Sequence, residues 1–427
     1  MRFPPLSKMI LFVLVFGALA LFSMTARDPV THSTLLWPAG GILLGTLILA
    51  PRSQWLVWGV ITAIVHLAAG LLMDRPLAIS VLFVVVNLVT VGSIAALWRL
   101  CTGGKESLTD PRGLLWFVLL VAAGSIAGSV LGWAGLQLLG RTPVGVSVEV
   151  LTVSTAVGAL IGAPLVLAWA GFQPKRSSGR GHGARGLIWF IGLVLTAELA
   201  FDGPTAQMIL HSTTFELSYL PLVFMVLVAV AWQQRGTTAA LLVLGAIACI
   251  NTAQGEGPFA RSHELFGNAL LEVQLYLAVA ALLGLLMSVL NASREQALRD
   301  AVAWKVRSEG MLLGTCQLMY EVDPANHQIV WAGDLSRLLA LQAAELANLA
   351  EFFERVHPDD RDRVIAYAGQ RQAGDITART QTFRFLAGDG EYVQLQDIGA
   401  PVVDFDDSVY RISGLLRLDD SVSGDEF

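Results

Sequence analysis

The sequence is poor in charged residues and in cysteine. Only 15% of its 427 residues are charged and 54% are hydrophobic, whereas ordinary soluble domains carry about 25% charged residues. The three cysteines, Cys101, Cys249 and Cys316, lie far apart and form no C-x-x-C pair. Their spacing therefore predicts neither a disulfide framework nor a zinc site. The low charge content predicts that most of the chain lies in lipid.

Catalytic signatures are missing as well. The sequence contains no H-E-x-x-H, no G-x-S-x-G and no nucleotide-binding glycine box. Each of these motifs would place a metal, a nucleophile or a phosphate at a defined site. We therefore predict no catalytic and no metal-binding residues, and we expect the chain to act by binding and relay. An enzyme working within the membrane is the least favoured alternative.

The charges that are present are distributed unevenly along the chain. Residues 1–309 hold 19 Lys and Arg against 14 Asp and Glu, whereas residues 310–427 hold 9 against 20. An acidic domain repels nucleic acid and anionic lipid headgroups. We therefore expect no nucleic-acid partner, and we expect the C-terminal part to be a soluble module.

Ten apolar runs fill the N-terminal part of the sequence, and several approach the 20 residues that cross a bilayer. They predict a polytopic α-helical membrane bundle over residues 1–290. Ten spans is the preferred count, and eight spans with two re-entrant or interfacial runs is the alternative. The runs are 9–24, 33–50, 54–73, 77–98, 113–139, 144–171, 186–201, 219–233, 237–253 and 267–290.

The basic residues between these runs indicate an orientation. With the N-terminus inside and ten spans, 15 Lys and Arg fall on the inner side and 4 on the outer side. This asymmetry follows the positive-inside rule. It predicts a multi-pass protein of the bacterial inner membrane with both termini in the cytoplasm.

Residues 291–309 continue the last apolar run as a charged segment without Gly or Pro. This composition predicts a linker helix that leaves the membrane still helical. Leu290, Ala297, Trp304 and Met311 are spaced by seven, which favours a short parallel coiled coil in a homodimer. A lone amphipathic linker helix is the alternative.

Residues 310–420 have the pattern of a small α+β domain with an antiparallel sheet. Strands are predicted at 314–322, 328–331, 379–386, 391–397 and 409–418, and short helices at 335–341, 346–356 and 358–370. Pro358 suits the first turn of its helix. The turn at Asp389 and Gly390 joins two strands as a hairpin. Residues 421–427 form an acidic tail.

Two family resemblances follow from short motifs. Residues 310–420 resemble a PAS domain through W-A-G-D at 331–334, F-F-E-R-V-H-P-D-D-R at 352–361, D-G-E-Y-V at 389–393 and R-I-S-G at 411–414. Residues 1–290 resemble the first membrane-associated sensor family (MASE type) of bacteria. That resemblance is carried by W-P-A-G-G at 37–41, G-A-P-L at 162–165, G-E-G-P-F at 255–259 and E-V-Q-L-Y-L at 272–277.

The resemblances imply a signalling receptor whose output is a histidine kinase or a diguanylate cyclase or phosphodiesterase. No such module is recognised in this sequence, so we expect the chain to be a fragment of a longer receptor or to signal through a partner protein. The final G-D-E-F at 424–427 is treated as a coincidence with the cyclase signature. The sequence identifies no cofactor, and the ligand of the PAS-like domain is unknown. A flavin site is not predicted, because Cys316 lies in the first predicted strand, which is the wrong position for a flavin-type cysteine.

The PAS motif residues are interpreted as structural. His357 is a tempting metal or haem ligand, but its H-P-D-D-R context assigns it to a helix start. The residues concerned are Trp331, His357, Pro358, Asp360, Arg361, Asp389 and Gly390.

Polar residues within the predicted spans are the candidate site, because polar groups in lipid are expensive and often functional. We hypothesise that several of them line a pocket between helices, and the alternative is hydrogen bonding that only holds the bundle together. The candidates are Trp37, Pro38, His66, Asn87, Glu198, Glu272 and Gln274. The resulting prediction is a membrane sensor, and the alternative is a multi-pass transporter with a regulatory PAS-like domain.

Overall fold

A computed structural model describes residues 4–25, 34, 36–104, 108–140, 148–170, 180–202, 215–259, 269–315, 317–375, 377, 380–403 and 408–419. Cys316 and the tail at 421–427 lie outside these residues. The chain divides into two compact units, residues 1–296 and 297–427. They are called the membrane unit and the PAS unit below, and each is described by itself.

Nine helices begin in the described part of the membrane unit. Eight apolar helical segments there are long enough to cross a membrane. The helices are α1 (Leu6–Thr25), α2 (Pro38–Leu49), α3 (Trp55–Leu72), α4 (Leu77–Thr102), α5 (Pro111–Leu138), α6 (Val148–Trp169), α7 (Arg180–Phe201), α8 (Leu220–Ala253) and α9 (Ala269–Thr315).

The ten apolar runs of the sequence map onto these nine helices. The second run forms α2, which has only 12 residues. The eighth and ninth runs share α8, which loses helical geometry at Gln233 (φ 54°, ψ −149°). A Cβ added to Gly284 would contact both Met225 and Thr237, so the two halves of α8 flank the same level of α9. The eight long helices and the short α2 thus account for every run.

Polar contacts join helix ends that the charge pattern assigns to one side. The Gln233 amide donates to the Glu295 carboxylate (2.7 Å), and the Arg235 guanidinium donates to the carbonyl of Ala168 (3.0 Å). All four residues fall at the side predicted to be cytoplasmic. These contacts bring together the end of α6, the break in α8 and the end of the apolar part of α9.

Helix α2 lies in the interior of the membrane unit, as its uniformly apolar surface requires. Ten of its twelve residues are buried, as expected for a helix without a polar face. Its backbone lies directly against α6: a Cβ added to Gly41 or Gly158 would overlap the other helix's backbone or the carbonyl of Trp37. Glycine at these positions therefore permits the close approach.

Helix α9 runs for 47 residues without a break. It contains the last apolar run and the whole charged segment 291–309, as predicted for a helical linker. The sequence prediction of a strand from Gly314 was wrong by a few residues, since Gly314 and Thr315 complete this helix. The strand begins only at Leu318.

The PAS unit contains a five-stranded antiparallel sheet with strand order β2-β1-β5-β4-β3, which confirms the predicted α+β fold. Short helices connect β2 to β3, and Phe352, Phe383 and Phe385 contribute to the core that they cover. The elements are β1 (Leu318–Val322), β2 (Ile329–Ala332), α10 (Leu335–Leu339), α11 (Leu349–Arg355), α12 (Pro358–Gln372), β3 (Thr380–Leu386), β4 (Tyr392–Val403) and β5 (Val409–Leu418).

Candidate functional site: a polar cavity in the membrane unit

A cavity of about 240 Å³ lies among helices α3, α4, α5 and α6 and the segment before α2. Three of the predicted site residues, Trp37, His66 and Asn87, line it together although they are far apart in the sequence. The packing of α2 on α6 fixes this arrangement, because the backbone amide of Trp37 donates to the carbonyl of Ser154 (3.4 Å). The pocket hypothesis therefore has a geometric counterpart.

His66 is a buried residue in the lining of this cavity. Its side chain is only 2% exposed, and its ring lies 4.8 Å from the Trp37 ring and 6.4 Å from the Phe16 ring, between centroids. Neither ring nitrogen has a hydrogen-bond partner among the described residues. An imidazole always carries at least one donor and, when neutral, one acceptor. Both ring nitrogens of His66 are therefore available for hydrogen bonds within the described structure, and the ring lies next to the Trp37 indole.

Asn87 and Trp37 fix each other's orientation. The indole nitrogen of Trp37 donates to the amide oxygen of Asn87 at 3.3 Å. Because an indole can only donate, the oxygen must face it, and this determines which way the amide points. The Asn87 amide nitrogen is buried and has no partner in the described part of the chain. Asn87 thus presents a donor that nothing in the described protein uses.

Two hydroxyls complete the unpaired set. Thr90 on α4 and Ser129 on α5 are buried, line the same cavity, and have no hydrogen-bond partner within the described ranges. Gly128 makes room for Thr90, since a Cβ added there would overlap the threonine hydroxyl. A buried polar group without a partner costs about 1–3 kcal/mol, and native proteins retain few of them. Together with His66 and Asn87, these hydroxyls make the cavity the candidate site.

One permanently charged side chain is found in the described lining of the cavity. Arg75, in the connection between α3 and α4, lines it, and its guanidinium carbon lies 5.2 Å from the centroid of the Phe83 ring, which also lines it. No Asp or Glu is present among the lining residues that the structure describes. Arg75 thus brings a positive charge to the described part of the lining.

The structure places the other predicted site residues elsewhere. Pro38 begins α2 directly after Trp37 and lies outside the cavity lining. Glu198, a candidate for the pocket, has an exposed side chain on α7, one turn before the helix ends at Phe201. Periodicity could not show this, because α7 is apolar on both its packed and its exposed faces.

Glu272 and Gln274 form a separate buried region at the start of α9. Their side chains are 6% and 0% exposed. The adjacent Tyr276 packs against Phe201 and Phe259, with ring centroids 5.5 and 5.4 Å away. Of the seven candidates, three thus line the cavity, two are buried at the start of α9, and Pro38 and Glu198 lie at neither place.

Sequence reasoning missed Arg75, Thr90 and Ser129. Arg75 stands in a short connection and was counted only as a loop charge. Thr90 and Ser129 are ordinary hydroxyl residues in apolar helices, where they usually bond to their own backbone. The available signal was the spacing of Asn87 and Thr90, which share one face of α4.

The PAS unit has a smaller interior cavity of about 40 Å³, which is room for about one water molecule, and a wide open groove on its surface beside His327, Asn348 and Phe353. A buried network borders it. The Arg371 guanidinium donates to Asp397 and to the Tyr320 oxygen, and the Tyr320 hydroxyl donates to the other oxygen of Asp397, all at 2.7 Å. Gly414, the strand partner of Tyr320, leaves space for its ring. Burial, and then the charge of Asp397, raise the pKa of Tyr320 well above its ordinary value.

The H-P-D-D-R segment ties the start of α12 to β3. The His357 ring nitrogen accepts from the amide of Asp359 (3.3 Å), so His357 caps the helix that Pro358 begins. Asp360 accepts hydrogen bonds from both the backbone and the side chain of Arg384, each at 3.0 Å. These bonds lower the pKa of Asp360 from 3.8 to about 2. The segment has clear structural partners.

The remaining motif residues of the PAS unit also have local partners. The Trp331 indole donates to the carbonyl of Leu346 (2.7 Å), and the Arg361 guanidinium donates to the carbonyl of Glu354 (2.7 Å). Asp389 accepts from the amide of Glu391 (3.1 Å) in the turn before β4. Gly390 in that turn has φ +86°, a conformation that favours glycine.

Comparisons with known proteins agree with this architecture. The MASE1 family model matches residues 8–295, and the PAS fold model matches residues 328–416, which confirms both resemblances. No curated protein sequence matches the chain.

Two solved structures are similar to part of the chain. One, the N-terminal domain of a diguanylate cyclase with PAS/PAC sensor from Marinobacter aquaeolei, is 20% identical over 24% of this chain and 94% of its own, with a TM-score of 0.23. The other, a sensory box histidine kinase/response regulator from Burkholderia thailandensis E264, is 19% identical over 26% of this chain and 83% of its own, with a TM-score of 0.22.

The family match covers the membrane unit, where eight apolar helical segments are long enough to cross a bilayer. A multi-pass membrane domain is thus followed by a PAS fold in one chain. The protein therefore belongs to the MASE1 family.

Proposed function

We propose that this protein is a sensory receptor of the bacterial inner membrane, with both termini in the cytoplasm. Its cavity receives the signal, and helix α9 relays it to the PAS unit. The observation that carries this proposal is the unbroken helix Ala269–Thr315. At 1.5 Å per residue it is about 70 Å long, more than twice the roughly 30 Å of bilayer hydrocarbon.

The proposed relay must meet one thermodynamic condition. A ligand changes the conformation of a receptor only if it binds one packing state better than the other. The cavity is lined by residues from several helices, so a ligand that contacts them all responds to their relative positions. Helix α9 packs through Gly284 against Met225 and Thr237 of α8, and a shift of the bundle therefore acts on its shaft.

The output is proposed to lie outside this sequence. A histidine kinase or a diguanylate cyclase or phosphodiesterase module, joined to the chain or carried by a partner protein, would read the state of the PAS unit. The exposed apolar side chains of Leu298, Val302 and Trp304 on α9 support a homodimer in which this part of the helix pairs with its copy.

The test fills the cavity and measures the PAS unit. Ser129→Phe places a phenyl group in the cavity, and Ile126→Phe places the same group on the exposed face of the same helix as a matched control. The full chain in lipid nanodiscs is compared by hydrogen–deuterium exchange. We expect Ser129→Phe, but not Ile126→Phe, to change exchange across residues 317–419.

A break in α9 should uncouple the two units. Proline in a helix interior costs about 3 kcal/mol or more and kinks the helix, so Ala301→Pro combined with Ser129→Phe should restore the parental exchange of the PAS unit. Ala301→Leu keeps the helix and should keep the response. A PAS unit that ignores Ser129→Phe, although the membrane unit itself responds, would contradict the relay.

The alternative of a transporter with a regulatory PAS domain makes a different prediction. Transport requires solute uptake into liposomes that contain the pure protein, and this uptake should be blocked by Ser129→Phe. A sensor gives no uptake while its PAS unit still responds to the same substitution.

A further inference from the structure

We propose that the bend in α8 at Gln233 is a latch that holds α9 in one position and whose release frees that helix to act on the PAS unit. The latch consists of Gln233 and the carbonyl of Val230 on α8, together with Asn291 and Glu295 on α9. This proposal rests on the proposed function in taking α9 as the relay, and it adds the contact through which the membrane unit controls that helix.

The backbone at Gln233 is strained. Its φ of 54° and ψ of −149° interrupt α8 between two helical halves. Glycine occupies this region readily, whereas residues with a Cβ avoid it. Strain of this kind persists only where the surrounding structure compensates it, and it is concentrated at functional and switch sites. The bend therefore depends on contacts that offset its cost.

Two hydrogen bonds from α9 provide this compensation. The Gln233 side-chain amide donates to the Glu295 carboxylate at 2.7 Å, and a bond to a charged acceptor is stronger than a neutral one. The Val230 carbonyl, three residues before the break, accepts from the Asn291 amide at 3.2 Å. Asn291 and Glu295 are four residues apart, so they share one face of α9. Both bonds therefore require this face to be turned toward the bend.

A second cost at the bend favours leaving this arrangement. The side-chain amide nitrogen of Gln234 is buried and has no hydrogen-bond partner among the described residues. A buried donor without a partner is costly, so any rearrangement that pairs it is favoured. The strain at Gln233 and this donor thus oppose the two bonds from α9. Opposing contributions of this kind give the bend two states, whose populations a ligand of the bundle can shift.

The position of the latch suits control of the relay. Asn291 is the first residue after the last apolar run of the sequence. One contact also reaches into that run: the Thr237 hydroxyl donates to the Gln233 carbonyl at 2.8 Å, and a Cβ added to Gly284 would lie 2.9 Å from the Thr237 methyl group. The bend is thus connected to α9 at two levels. A rotation or an axial shift of α9 therefore acts on the bend.

Hydrogen–deuterium exchange of the full chain in nanodiscs tests the latch. Glu295→Ala removes the acceptor of the Gln233 amide, so exchange across residues 229–238 should become about tenfold faster, as expected for loss of a charge-assisted bond. Asn291→Leu removes the second bond and should act in the same direction. Arg294→Ala, at an exposed neighbouring position, is the control and should exchange like the parent. Parental exchange in both Glu295→Ala and Asn291→Leu would overturn the proposal.

A comparison at Gln233 separates the strain from the bond. Gln233→Ala removes the side-chain bond and keeps a Cβ in the strained conformation, whereas Gln233→Gly removes the bond and the strain together. Exchange across residues 229–238 should therefore be faster in Gln233→Ala than in Gln233→Gly, although glycine is the more flexible residue. Gln137→Ala, at an exposed position on α5, is the matched glutamine control. Exchange at least as fast in the glycine variant would show that the bend stores no strain, which contradicts the latch.

The result is separable from that of the relay experiment. Exchange across residues 229–238 reports the latch, and exchange across residues 317–419 reports the PAS unit. We expect Glu295→Ala to change the PAS unit as Ser129→Phe does. If neither variant changes residues 317–419 while residues 229–238 respond to Glu295→Ala, the latch stands and the relay fails. If only Ser129→Phe changes residues 317–419, the relay stands and the latch does not control it, which overturns the proposal.

Discussion

The two units of this protein differ in how their buried polar groups are paired. In the membrane unit, His66, Asn87, Thr90 and Ser129 surround a cavity of about 240 Å³ and leave hydrogen-bonding atoms without partners in the described protein. In the PAS unit, Arg371, Asp397 and Tyr320 bond to one another beside an interior cavity of about 40 Å³. The Gln381 side-chain oxygen beside them has no partner among the described residues.

This difference indicates which unit holds the better candidate for the ligand site. A buried network that satisfies itself specifies a fold and leaves little capacity for another molecule. Buried groups that stay unsatisfied cost stability, and in lipid no solvent can compensate them. The unpaired set is therefore the better candidate for a ligand site, and the paired set is the better candidate for a rigid relay.

The largest effect is expected when the buried Arg371–Asp397 ion pair of the PAS unit is broken. Asp397→Ala leaves the guanidinium of Arg371 buried without its carboxylate, and removing one partner of a buried ion pair costs about 3–5 kcal/mol. We expect the PAS unit of the full chain in nanodiscs to unfold at a much lower urea concentration, measured by pulse proteolysis of residues 317–419.

Two further variants show whether pairing is the cause. Arg371→Met combined with Asp397→Leu removes both charges, and such replacements are often neutral or stabilising, so most of the loss should be recovered. Asp362→Ala on the exposed face of α12 should change little. A double variant as unstable as Asp397→Ala would show that these side chains act through packing alone.

A smaller effect is expected at the contact that holds the cavity in shape. A Cβ at Gly158 would overlap the carbonyl of Trp37, and overpacking of this kind costs about 1–3 kcal/mol. Gly158→Ala should therefore lower the thermal midpoint of the membrane unit, measured by loss of helical circular dichroism in nanodiscs.

The control uses a glycine with open space. A Cβ at Gly92 meets nothing within 4 Å, and alanine is favoured over glycine in a helix by about 1 kcal/mol. Gly92→Ala should thus leave the midpoint unchanged or raise it. Equal losses at both positions would mean that α2 and α6 do not depend on this close approach.

Much of the fold followed from the sequence because its causes are local. The apolar runs placed the spans, and the H-P-D-D-R segment placed the start of α12 at Pro358. The break at Gln233 separates two runs that the sequence also separates. The strand predicted from Gly314 failed, because the preceding helix continues to Thr315 and no proline near its end stops it.

The candidate site was only partly predictable, since it depends on which helices meet. His66 and Asn87 stood out as polar groups in apolar runs. Glu198 stood out for the same reason, yet its side chain is exposed, and nothing in its own run distinguishes the two outcomes. Arg75 and Ser129 become site residues only through the packing of α3, α4 and α5 around them, which is tertiary information.

The smallest effect is expected at the surface of the PAS unit, where Asp360 pairs with Arg384. Hydrogen bonds from Arg384 lower the pKa of Asp360 from 3.8 to about 2. Because the folded value lies below the unfolded one, ionised Asp360 stabilises the fold fully above about pH 4, and this stabilisation is lost as the pH falls towards about 2. A shift of this size is worth up to about 2 kcal/mol. Asp360→Asn should therefore be less stable than the parent at about pH 5 and equal to it near pH 2, measured in detergent micelles by pepsin pulse proteolysis of residues 317–419.

Asp359→Asn is the matched control: it contacts the same arginine at 3.2 Å, but its side chain is 73% exposed against 16% for Asp360. Solvent screens such a pair, so Asp359→Asn should have the weaker effect. A stability difference for Asp360→Asn that persists at the acid end would show that its role is steric, and pairing would then be confined to the interior of the PAS unit.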